Sequence, residues 1–114
     1  MMPGFGSNGY LSWIVEGEKL EYISKHEVFI ENFELKMFSG DEHKEINTRM
    51  LSPSAKFLIK EKTVKSNDSI LIHGSNFEIS GRNWEWSGKE DTKIVEIKQN
   101  PTVTFYEELD IFLQ

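Results

Sequence analysis

Apolar residues in this chain recur at every second position over short runs, the spacing of strands that turn one face toward a core. Tyr10 to Val15 puts Leu11, Trp13 and Val15 on one face, and Leu20 and Tyr22 resume the alternation after Gly17. Glu27 to Phe38 carries Val28 and Ile30, then Phe33, Leu35 and Met37, so the parity slips at Glu31-Asn32. A helix competes for this segment through near i, i+4 spacing. Its Val, Phe and Ile content and the lack of an N-cap favour a strand. In Ser69 to Gly88 the pairs are Ile70 and Ile72, Phe77 and Ile79, then Trp84 and Trp86, interrupted by Gly74, Gly81 and Gly88. The change of parity after Ile72 calls for a tight turn or a bulged corner at Gly74. Val95 and Ile97 align, and after a corner at Asn100-Pro101, Val103 and Phe105 continue on the same parity.

Between these runs the chain is polar. Ser39 to Lys44, Lys65 to Asp68 and Lys89 to Thr92 read as loops or turns, and Pro53 as a break between an edge strand at Ile46 to Met50 and a short run from Ala55 to Ile59. Leu109 to Leu113 is apolar enough to pack as a last strand or a helical turn. The segments VFIENFELKMF, ILIHGSNFEIS and VEIKQNPTVTF share one plan: two alternating apolar residues, a polar or Gly/Pro corner, then two more. Their uneven spacing excludes a solenoid. The plan predicts an all-β fold, an antiparallel β-jelly roll made of a rolled, partly open sheet sandwich, with strands hinging at Asn32, Gly74 and Asn100.

Composition narrows the function. The 114 residues make one domain, taken as residues 10–114 behind a flexible lead-in at residues 1–9. A formal net charge of −6 argues against nucleic acid as a partner, because phosphate neutralisation needs clustered Lys and Arg. The one locally basic stretch, Lys60 to Lys65, contains Glu61. Without cysteine there is no disulfide scaffold and no thiolate metal site. No apolar run reaches the ~18 residues that span a bilayer, and the first ten residues lack the pattern of a signal peptide.

Several of these patterns together resemble a known family. Trp13-x-Val15-x-Gly17-x-Lys19-Leu20-x-Tyr22 followed by Val28-x-Ile30-x-Asn32-Phe33-x-Leu35 is similar to the opening of periplasmic lipopolysaccharide-transport proteins of the LptC and LptA (OstA-like) type. Ser54-Ala55-x-Phe57 matches their element of a small residue then an aromatic one. Ile70-x-Ile72-x-Gly74-x-Asn76-Phe77-x-Ile79 and Val95-x-Ile97-x-x-Asn100-x-x-Val103-x-Phe105 match their bent strands. The resemblance spans about Tyr10 to Phe105, with Trp84-Glu85-Trp86 departing from it. It implies a non-enzymatic domain of the Gram-negative cell envelope, working in outer-membrane biogenesis. Such a domain binds lipopolysaccharide acyl chains in an apolar trough and passes them on by edge-to-edge docking with like β domains, or with its own copies. The setting implied is the periplasm, with an N-terminal membrane anchor in LptC-type members that is not visible here.

On that reading the lipid-binding residues are Trp13, Val28, Ile30, Phe33, Leu35, Ile72, Phe77, Ile79, Trp86, Val103 and Phe105. An acyl chain binds through apolar area, about 0.8 kcal/mol per buried methylene, so the same residues equally describe a packed core. A second function, from another class, is a carbohydrate-binding β-sandwich in which Trp84 and Trp86, sharing one face, stack on sugar rings. A third is a structural module without a ligand. No cofactor is expected. His26, His43 and His73 match no metal-binding or catalytic spacing, and no phosphate-cradling or nucleophile motif occurs.

Overall fold

The computed structural model describes residues 2–5, 9–39, 45–88 and 94–106. The alternating segments become strands β1 (Met2–Phe5), β2 (Leu11–Glu16), β3 (Lys19–Tyr22), β4 (Glu27–Phe38), β5 (Ile46–Leu58), β6 (Thr63–His73), β7 (Phe77–Ser87) and β8 (Ile94–Phe105). All pair antiparallel in one sheet, ordered β1-β2-β4-β5-β6-β7-β8, with β3 also on β4. β2 and β3 lie end to end along β4, opposite Glu34 to Met37 and Val28 to Glu31 respectively. The sheet is not closed: among the described residues β1 pairs only with β2, and β8 only with β7.

The long strands are interrupted near their middles, and the interruptions line up across the sheet. β2 gives way to β3 at Gly17-Glu18. In β4, Asn32 has φ 51° and faces Pro53, between the pairs Glu31–Ser54 and Phe33–Ser52. The β5–β6 ladder lapses between Leu51 and Lys56, β6–β7 between Ser66 and Ser69, and β7–β8 between Ser80 and Arg82. Asn83 (φ 56°) and Asn100 (φ 51°) complete the line. Asparagine tolerates this left-handed backbone better than other side-chain-bearing residues. A single residue there resets the alternation, which is why both Ile30 and Phe33 point inward. The proline has no N–H to leave unpaired. The buried Ser52 hydroxyl bridges the lapse, donating to the Ser69 carbonyl at 2.6 Å.

Along this line the sheet bends, so that one half faces the other. Trp13 of β2 meets Trp86 of β7 edge-on, with ring centroids 5.3 Å apart, and Phe57 of β5 at 6.0 Å. In a flat sheet β2 and β7 would stand about 19 Å apart at the usual ~4.8 Å per strand. Corners made by bent strands bring such faces together. Phe33 and Trp84 close the narrow end beside the bend, 5.5 Å apart. Val15, Val28, Ile30, Leu35, Met50 and Val64 fill the space between, each without exposed surface. Full burial of such a side chain contributes about 1.5–3 kcal/mol.

The all-β, antiparallel expectation holds, with five corrections. Gly74 is no mid-strand hinge; it sits in the β6–β7 turn, where its N–H donates to the Phe77 carbonyl at 3.0 Å. Lys65 to Asp68 is no loop but part of β6: Lys65 and Ser66 are paired, Asn67-Asp68 form a bulge, and the ladder resumes at Ser69. Ile46 to Met50 is no edge strand but the first half of β5, between β4 and β6, and Pro53 bends that strand without ending it. Met2 to Phe5 of the expected lead-in forms β1. Val103 and Phe105, placed in the interior by their parity, stand on β8, which among the described residues pairs only with β7, and are exposed. The expected polar segments around residues 40–44 and 89–92 and the apolar tail at 109–113 lie outside the described residues.

Candidate functional site

The residues assigned to an acyl-chain trough divide into two groups. Trp13, Val28, Ile30, Phe33, Leu35, Ile72 and Trp86 are buried in contact with one another or with the same core. Phe77 and Ile79 are half-buried, while Val103 is 52% exposed and Phe105 69%. The cross-strand pairs Phe77–Phe105 and Ile79–Val103 place all four on one face. An apolar margin therefore runs from the filled core to the outer edge of β8, which has no partner strand among the described residues.

Trp84 and Trp86 both turn inward and keep 1% and 0% of their surface, so neither ring is a platform for sugar. Among the described residues their indole N–H groups have no hydrogen-bond partner. An unmet buried donor of this kind costs about 1–3 kcal/mol, which the area buried by each ring offsets.

The opposite face carries a polar hollow of about 740 Å³ beside the bend. Phe29, Lys56, Lys65 and Glu85 stand side by side across β4, β5, β6 and β7 and line it. They are outward because they alternate with the inward Val28, Phe57, Val64 and Trp86. The bend adds Ser54, Ser66, Asn67, Asp68, Arg82 and Asn83, β8 adds Lys98, and the buried Ala55 and Trp84 also border it. Asp68 is engaged from within: Oδ1 accepts the Ser69 N–H at 2.8 Å, and Oδ2 lies 3.4 Å from the donating Ser54 hydroxyl. Lys56 lies 3.7 Å from Glu27. Lys65, Arg82 and Lys98 form no ion pair among the described residues. Hydroxyls, amides, cations and one phenyl ring thus converge on a single concave surface, the mixture that orients a polar ligand with an apolar face.

These residues are scattered through the sequence. Their signal is complementary to that of the core: polar positions of opposite parity to the buried ones, on strands that become neighbours. It required the strand order and the bend, which the chain alone did not supply.

A smaller polar cluster ties the far ends of three strands. His73 Nδ1 lies 3.1 Å from Glu78 Oε1, and the Tyr106 hydroxyl donates to Glu78 Oε2 at 3.0 Å. The hydrogen bond to this carboxylate, then desolvation and its charge, hold the Tyr106 phenol above its ordinary pKa. No group of three or more potential metal ligands occurs among the described residues, and none of their helices is long and apolar enough to cross a membrane. No protein-family model matches the chain, and no curated protein matches it.

Proposed function

We propose that this protein is a non-catalytic binding module whose ligand is a saccharide, held in the polar hollow over Phe29. The observation that carries the reading is the contrast between the two faces. The interior is occupied by rings in contact, whereas the hollow offers hydroxyl and amide groups around one half-buried phenyl ring. This keeps the carbohydrate-binding function and moves its site from Trp84 and Trp86 to the outer face. Titration with neutral oligosaccharides, followed by backbone amide shifts, tests it. Shifts should gather on Phe29, Ser66 and Asn83, and Phe29→Ala should weaken binding about tenfold, the loss of a stacking contact worth ~1.4 kcal/mol. Shifts confined to other strands would refute the assignment.

Lipid handling in the periplasm, implied by the resemblance, is the second reading, and the apolar margin favours it. We read the bent sheet as a jelly-roll-like framework in which lipid enters along Phe77, Ile79, Val103 and Phe105 rather than through the filled core. A photo-crosslinking side chain at position 79 should then capture lipopolysaccharide, while one at position 28 should not. Absence of a crosslink at both positions removes this reading.

A further inference from the structure

We infer that the ligand of the polar hollow is an anionic saccharide, a sugar bearing phosphate, sulfate or carboxylate groups met by Lys65, Arg82 and Lys98. The inference rests on the hollow being a saccharide site and adds the charge of its ligand. Four cations line the hollow against two carboxylates, in a chain whose net charge is −6. Asp68 accepts from Ser69 and Ser54 and keeps its charge, so four cations less two carboxylates leave the hollow with a net +2. Lys56 and Lys65 are direct cross-strand partners. Like charges so placed repel; Glu27 lies 3.7 Å from Lys56 and Glu85 stands beside Lys65 on β7, so the repulsion is eased at both ends but the cations still outnumber the carboxylates. An anion between the strands would remove that cost.

The donor types suit an oxyanion carried on a sugar. The Arg82 guanidinium can grip two oxygens in one plane, Lys65 and Lys98 supply point charges from either side, and Asn83 offers an amide. Phe29 gives the sugar ring an apolar wall. The negative field of the whole chain repels polyanions in general, so any anion that binds must be recognised at this patch.

The test uses the full chain and a panel of dextran, maltodextrin and chitin oligomers, each neutral, carboxymethylated and sulfated, together with phosphatidylglycerol vesicles. Charged oligomers should bind at least about tenfold more tightly than neutral ones, a difference of ~1.4 kcal/mol. The triple variant Lys65→Gln/Arg82→Gln/Lys98→Gln should lose that gain, so that charged and neutral oligomers bind it alike. The control Lys19→Gln/Lys25→Gln/Lys60→Gln, with the same loss of charge at exposed sites off the hollow, should keep the gain. Both variants alter exposed side chains, and unchanged thermal unfolding verifies that they fold. Equal binding of neutral and charged oligomers in the hollow overturns the anionic assignment and leaves the saccharide reading standing. Binding of no oligomer overturns both. Binding to vesicles alone, lost in the triple variant, overturns the saccharide class in favour of a membrane surface.

Discussion

Asn100 shows how much one residue decides. It holds φ at 51° in β8, a backbone that costs most side chains about 1–2 kcal/mol, β-branched ones more, and glycine nothing. Asn100→Val should therefore destabilise the fold by about 1–2 kcal/mol and Asn100→Gly by less than ~0.5 kcal/mol, read from denaturant midpoints. Equal effects would mean that the bend does not depend on that backbone. At the other end of the strand, Tyr106 has a phenol whose proton is retained by Glu78. Because the folded state raises this pKa, its contribution is present below the unfolded value, about pH 10, and is lost as pH climbs through the folded one. In an absorbance titration the Tyr106 phenol should ionise above its ordinary value. Tyr106→Phe should remove the late step and no other.

For a whole strand, what was legible in the sequence was parity, and what escaped it was partnership. The slip at Asn32 marks a real bend because only a left-handed residue or a bulge lets Ile30 and Phe33 share an interior. The slip at Gly74 has a different origin, a turn between two strands, and alternation cannot tell the two apart. Lys65 to Asp68 looked like a loop because polar residues fill a bulge as readily as a turn. Val103 and Phe105 show the limit most plainly: the side a residue points to is local, but what covers it depends on the strand beside it. The hollow was invisible for the same reason. Gly81 belongs to this scale, since it lets β7 and β8 approach where their ladder shifts. A Cβ there would meet the Ile97 side chain and come within 3.0 Å of the Gln99 carbonyl. Gly81→Ala should destabilise by about 1–3 kcal/mol, the cost of overpacking against backbone that cannot yield. A neutral result in thermal unfolding would show the bend to be looser than the structure draws it.

For the molecule as a whole, the open sheet is held bent by contacts between strands that share no hydrogen bonds. Trp13 and Trp86 belong to strands separated by three others in the sheet, yet their rings meet edge to face at 81°. Their coupling therefore measures closure of the two halves and not the ladder. Trp13→Leu and Trp86→Leu, chosen over alanine to keep the chain folded, should each be destabilising. The double variant should lose less than the sum, by the ~0.5–1.5 kcal/mol typical of an aromatic pair. A sheet that spends much of its time opened would show no coupling, and the space between the halves would then be accessible to an acyl chain after all. A coupling of the expected size leaves the interior filled, so that a ligand meets the polar hollow or the apolar margin and not the core.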